Sequence, residues 1–352
     1  LTRKLKHLMT LPLPTNKEFI LITQWSDVMG KHLFTGGGVL DVTGNNKHRF
    51  LMEYYNAMVG PGWGLTLSSL MNFTIRPYDN SQYGLVEEIS GVTLYTNIPW
   101  NLGEHMSSEQ YLHIKTAYND RKVQLYEEGE NQWEYIPSQG NNLEQPPESI
   151  EEGIVSVSYR WINRRPHKHN QMVPKKGYGI SFAIDHANSS ILGDMDYTRF
   201  TSDAFINYKL GGMVLYGRIK TMAMEGTPPV QNMLTITEDT PIYFPMDNIL
   251  SENEVINPRG WRGGSRQGDR LIFGTLEYRT GSEKISLAII SDIANSWESG
   301  QELKGWIITA GYEFRAAIMG TVLAYGQAQV MDDWQAGLKP ETYVRLTLIN
   351  PF

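Results

Sequence analysis

The chain has 352 residues, a formal net charge of −7 and no cysteine. These exclude a disulfide framework and a thiolate metal site, and the acidic balance argues against a nucleic-acid partner, which needs a basic face. Mean hydropathy is −0.36, and no stretch approaches the ~20 apolar residues of a membrane-spanning helix. A transmembrane β-barrel escapes that test, because it shows lipid only every second residue. The 19 Tyr, 9 Trp and 33 Gly suit the aromatic girdles and tight turns of such a barrel.

The chain opens on Leu1-Thr2-Arg3-Lys4 without the long apolar core of a signal peptide, so it reads as a mature protein or the C-terminal part of a longer one. A first strand has to lie within residues 2–13, where the pattern is poor. Strands are then expected near 18–26, 32–41, 49–57, 64–76, 85–96, 109–119, 153–162, 178–187, 198–208, 213–223 and 271–279. Gly36-Gly37-Gly38 is expected to kink or bulge its strand, since no helix follows to make a phosphate loop. In 154–162, Val155, Val157, Tyr159 and Trp161 share one face, and Ser156, Ser158 and Arg160 the other.

The C-terminal part alternates in the same way. Ile285, Leu287 and Ile289 are expected to face lipid, which turns Asp292 inward. In 306–315, Trp306, Ile308, Ala310, Tyr312 and Phe314 form the apolar face. In 322–330, Val322, Ala324, Ala328 and Val330 oppose Tyr325, Gln327 and Gln329. In 342–349, Val344, Leu346 and Leu348 oppose Arg345 and Thr347. Connections alternate long and short, as outer loops and periplasmic turns do. The expected fold is therefore all-β: one transmembrane antiparallel barrel over residues 1–352, with about sixteen strands.

Three segments break the pattern. Residues 127–152 are acidic and rich in Pro, Gly, Asn and Gln, and read as a long outer loop. Residues 164–176 are basic and fall on the periplasmic side. Residues 226–270 show no convincing strand, and a connection of that length is usually functional or disordered. His167 and His169 lack further ligands for a metal, and Ser265 lies in no nucleophile elbow. Asp194 and Asp196 make a lone acidic pair, and Asn72-Phe73-Thr74 matches a glycosylation acceptor in mid-strand. No catalytic constellation is visible, so neither an enzyme nor a cofactor is expected.

The long connection holds Asn257-Pro258-Arg259-Gly260-Trp261, followed by Gly274-Thr275-Leu276-Glu277-Tyr278-Arg279. Next come Ile290-Ser291-Asp292 with Trp297, then Gly311-Tyr312-Glu313-Phe314-Arg315, and a terminal Phe352. In this order the motifs resemble the bacterial surface antigen superfamily, the outer-membrane insertase and translocase barrels of the BAM, Tam and two-partner-secretion type. Trp25-Ser26-Asp27 to His32 resembles the opening of members whose barrel follows a TolB-like propeller. The chain departs from the pattern at Ile293-Ala294, where a Gly is usual, and at Pro351 beside Phe352.

The resemblance implies a sixth outer loop folded into the lumen. Arg259, Gly260 and Trp261 would lie at its tip and meet inward Asp292, Glu277 and Arg279. Gly311 and Arg315 would belong to the following strand motif, and Leu346, Leu348 and Phe352 to a C-terminal recognition signal. It also implies a bacterial outer-membrane location with both termini periplasmic. The partners would be lipid and lipopolysaccharide, client proteins, and periplasmic or lipoprotein factors. Three functions remain open at this point: insertion or translocation of proteins, a pore or secretion channel plugged by its loop, and a docking barrel of a larger envelope complex. In a plugged pore, Arg218, Lys220, Glu277 and Arg279 would set ion selectivity. A wet lumen would put the loss on removing Arg259 at the low end of ~1–3 kcal/mol per unpaired group.

Overall fold

The computed structural model of the chain describes residues 5–14, 18–27, 30–41, 49–57, 61–78, 81–99, 109–128, 133–136, 148–165, 176–190, 193–237, 242–243, 256–282, 284–301, 303, 305–318, 321–331 and 339–348. His167, His169, Pro351 and Phe352 lie outside the described residues. In chain order the strands are β1 (Lys6–Pro14), β2 (Glu18–Ser26), β3 (His32–Asp41), β4 (Arg49–Asn56), β5 (Gly62–Tyr78), β6 (Ser81–Pro99), β7 (Glu109–Glu128), β8 (Trp133–Ile136), β9 (Ile150–Arg165) and β10 (Lys176–Ala187). They continue with β11 (Asp196–Leu210), β12 (Met213–Thr227), β13 (Leu234–Ile236), β14 (Ile242–Tyr243), β15 (Arg266–Gly268), β16 (Arg270–Gly281), β17 (Ile285–Trp297), β18 (Ile307–Ile318), β19 (Thr321–Val330) and β20 (Glu341–Leu348).

Sixteen of these follow one another antiparallel in a single large sheet, β7 meeting β9 and β12 meeting β16. Short β8 and β14 are added at strand edges, and β13 and β15 pair separately. Side-chain alternation makes the wall two-faced. Along β17, Ile285, Leu287, Ile289 and Ile293 are exposed, while Ser286, Ala288, Ile290 and Asp292 are buried. The exposed set continues with Val155 and Val157, Phe182 and Ile184, Ile219, Leu276, and Tyr312 and Phe314, which together form a lipid-facing surface. β5, β6 and β7 run 17, 19 and 20 residues. A tilted membrane strand needs ~9–11, so these hairpins project beyond the apolar band, at the end that carries residues 226–270.

The apolar core lies inside the barrel, toward that same end. Inward Ile154, Ala187, Tyr197, Met222, Met224, Leu271, Ala294 and Ile307 close around Leu234, Ile236, Ile256 and Trp261 of the long connection. The connection therefore fills the lumen there, and the hydrophobic effect holds it.

Several expectations need correcting. Gly36–Gly38 stay in unbroken register with both neighbours; the irregularity is in β1, between His7 and Met9. The Phe34 ring lies over Gly36, within 3.4 Å of where a Cβ would sit, and covers the gap that glycine leaves. In β19, Ala324 and Ala328 face the lumen and Leu323 and Tyr325 are exposed. Small apolar residues suit a crowded interior as well as lipid, so polarity alone misassigned this strand. The expected loop 127–152 is shortened at both ends, by β7 reaching Glu128 and β9 starting at Ile150. The connection 226–270 is not strandless, since β13, β14 and β15 lie in it.

Candidate functional site

The tip of the long connection is a tight turn. Trp261 N–H donates to Pro258 O at 3.1 Å, and Gly260 has φ +78°, the arrangement that favours glycine at the third turn position. A Cβ on Gly260 would lie 2.4 Å from the carbonyl atoms of Ala328 in β19. Glycine is thus required twice, for its φ and for the close approach of loop backbone to wall.

This turn aims Arg259 at the wall. Its Nε donates to Asp292 Oδ2 at 2.8 Å and its Nη2 to Asp292 Oδ1 at 2.5 Å, a bidentate pair. Arg259 N–H adds a third bond to Asp292 Oδ2 at 3.0 Å. Nη1 donates to Glu277 Oε1 at 2.8 Å, and Nη2 also reaches Thr275 Oγ1 at 2.5 Å. Glu313 Oε2 stands 3.6 Å from Nη1. Burial alone would lower the pKa of Arg259, but Asp292 and Glu277 hold it well above its ordinary value.

The acceptors are themselves braced. Arg279 Nε donates to Glu277 Oε2 at 2.6 Å, and Arg315 Nη2 to the same oxygen at 2.7 Å. Arg315 Nε also donates to Glu313. Tyr343 Oη donates to Glu313 Oε2 at 3.0 Å, and the Arg279 guanidinium lies 3.8 Å from the Tyr216 ring centre. Arg259, Arg279 and Arg315 face Asp292, Glu277 and Glu313, so the named charges balance. Asp292 is 1% exposed and Arg259 5%, so the contact is buried, where a wet lumen was expected. A buried network of this kind is weak evidence for stability but fixes geometry, because removing one member strands the others.

Each inward group comes from strand alternation: Thr275, Glu277 and Arg279 on β16, Asp292 on β17, Gly311, Glu313 and Arg315 on β18, Tyr343 on β20. A Cβ on Gly311 would lie 2.0 Å from Gln327 O and 2.6 Å from Ala328 Cα, so β18 and β19 meet tightly where the tip lands. Trp261 is buried in the lumen core, donates Nε1–H to Gly264 O at 2.8 Å and carries Arg266 over its ring. Leu346 and Leu348 lie on the β20 backbone. Arg218, which would line a channel in the plugged-pore reading, is paired to Asp203 on neighbouring β11 with Nε–Oδ1 at 2.9 Å and stays partly exposed.

Sequence reasoning missed Thr275, Glu313 and Tyr343, and a whole second anchor. Asn232, in a 3-10 turn (Val230–Asn232), meets the wall at β7, β9 and β11. Arg121 Nη1 donates to Asn232 Oδ1 at 2.8 Å, and Asn232 Nδ2 donates to Glu152 Oε1 at 2.6 Å. Arg121 pairs with Glu152 at 3.0 Å and with Glu87 at 3.4 Å. Tyr197 Oη donates to Glu152. The available signal was charge on the inward phase of neighbouring strands: Glu87, Arg121 and Glu152.

No family model and no curated protein matches the sequence. Among solved structures, the chain is similar to BamA from Haemophilus ducreyi lacking POTRA domains 1–3, at 10% identity and TM-score 0.62, over 96% of this chain and 68% of that one. It is also similar to CdiB from Escherichia coli, at 9% identity and TM-score 0.60, over 94% and 59%. CdiB from Acinetobacter baumannii matches at 9% identity and TM-score 0.55, over 95% and 57%. The chain has the BamA and CdiB barrel fold. It spans less than two thirds of either CdiB chain, and at these identities the likeness is one of fold.

Proposed function

We propose that the chain is an outer-membrane, protein-handling barrel of the bacterial surface antigen superfamily, which inserts proteins into that membrane or passes them across it. The observation that carries the reading is the loop tip itself: Arg259, Gly260 and Trp261, the residues of the family motif, pinned to Asp292 and Glu277 on the inner wall. The barrel shared with BamA and CdiB supports it. So does β1, whose Pro12 and Pro14 remove two backbone donors and whose ladder is irregular near His7. An edge of that kind pairs weakly and suits a seam that yields to an incoming strand.

In this reading the barrel sits in the bacterial outer membrane with both termini periplasmic. It works without a cofactor and catalyses no covalent step. Its partners are lipid and lipopolysaccharide, client proteins, and periplasmic or lipoprotein factors.

The test compares folding of a chemically denatured test barrel into liposomes that hold the purified chain and into empty ones, with single-channel current recorded on the same preparation. Faster folding with a mostly closed channel supports the reading. Folding no faster than in empty liposomes, together with a steady open conductance, would replace it with a passive pore.

A further inference from the structure

Thr237 and Ile256, which flank the stretch 238–255, meet at one neck. Thr237 N–H donates to Ile256 O at 3.0 Å, Ile256 N–H to Thr235 O at 3.3 Å, and Ile236 bridges Ile256 in parallel. The neck is pinned on either side, by Asn232 on one wall and by Arg259 on the other. Within the stretch lies β14, which runs parallel to β20 with Ile242 opposite Val344 and Tyr243 opposite Arg345.

That position is informative. β19 already pairs with both β20 residues, Tyr325 with Val344 and Ala324 with Arg345. A strand has two edges, so β14 occupies the other one, the edge by which the last strand of a barrel meets the first. The same connection touches β20 twice more. Arg345 Nη2 donates to Asn257 O at 3.2 Å, and Arg262 stands 3.6 Å from Glu341.

We propose that β14 is an intrachain latch on the closing edge of β20, a stand-in that an incoming extended polypeptide strand displaces. The inference rests on the protein-handling reading only in naming the competitor. A two-residue parallel pairing is a weak hold, whereas a client strand can run the length of β20 with a full ladder of backbone bonds. The anchored neck keeps the latch beside its edge after release, at high effective concentration, so the edge is covered again when the client leaves.

The test uses the full chain in detergent or nanodiscs, with a short synthetic peptide of alternating Leu and Thr carrying a benzophenone. Light traps peptide that pairs with β20, read as crosslinks to Glu341–Leu348. A cysteine pair, Ile242→Cys with Val344→Cys, is bridged by a short bismaleimide, and Tyr325→Cys with Val344→Cys is the control pair. The latch predicts that the first pair bridges as readily as the control and that bridging brings trapping down to background. Replacing 238–255 by a Gly-Ser linker should raise trapping about tenfold, by removing a tethered competitor. Tyr243→Pro, which removes one backbone donor, should raise it in the same direction if the linker variant fails to fold. A control pair that bridges while the first does not would overturn the latch, as would trapping unchanged by bridging. Trapping as predicted, with no acceleration of test-barrel folding, would support the latch and sink the protein-handling reading alone.

Discussion

Arg259 is where charge, burial and backbone geometry converge. Its bidentate fork matches Asp292, and its remaining donors are spent on Glu277 and Thr275. Arg259→Ala leaves a nearly fully buried carboxylate without its cation, and breaking a buried pair from one side typically costs ~3–5 kcal/mol. The structure therefore moves the expectation above the wet-lumen figure. The barrel should still form, since the sheet ladders are untouched, and the loss should appear as new protease cleavage within residues 226–270. Arg259→Lys should restore little, because a point charge cannot make the fork. Asp292→Ala should behave like Arg259→Ala, and the double variant should be no worse than either, since it removes the pair whole and Glu277 keeps Arg279 and Arg315. Limited proteolysis followed by mass spectrometry reads all four; a double variant far worse than both singles would contradict the pairing.

At the scale of elements, the long connection is held at two places on the wall, and the two should act separately. Asn232→Ala removes bonds to Arg121 and Glu152, each a hydrogen bond to a charged group worth ~1.5–3 kcal/mol. It should free the Val230–Asn232 turn and leave the Arg259 tip in place. Hydrogen exchange should show faster exchange near Leu234–Ile236 and unchanged protection at Trp261; equal loss at both would mean one cooperative plug. The strands themselves were largely legible, because lipid on one face and a polar lumen on the other enforce period two, as in β17. β1 was hard to read because Pro12 and Pro14 break the propensity pattern, and β19 was turned inside out because alanine fits either face. The Arg259 contact could be named only through its motif. Asn232 sits in no periodic segment and Glu152 falls in the expected acidic loop although it is inward on β9, so the second anchor left only the inward charges Glu87, Arg121 and Glu152 as its mark, without the loop residue they hold.

For the whole molecule, a sixteen-strand wall with an exposed apolar surface should resist detergent until heated. The purified chain should migrate faster on gels unboiled than boiled, and a single mobility would argue against the barrel. The alternation of connections also leads to an expected orientation, checked on whole cells. Protease should reach residues 129–149 and 331–340, which join strands at the end of the barrel carrying the long connection, and should not reach the turn at 282–284. The reverse pattern would invert the topology. The most direct test of the account joins loop to function: the folding rate of a test barrel into liposomes holding the wild-type chain, the Arg259→Ala chain, or no protein. The account predicts acceleration by the wild type and most of that acceleration lost in Arg259→Ala, with heat-dependent mobility intact in both. Equal acceleration by the two chains would contradict the anchored loop as the working part, and none from the wild type would contradict the function.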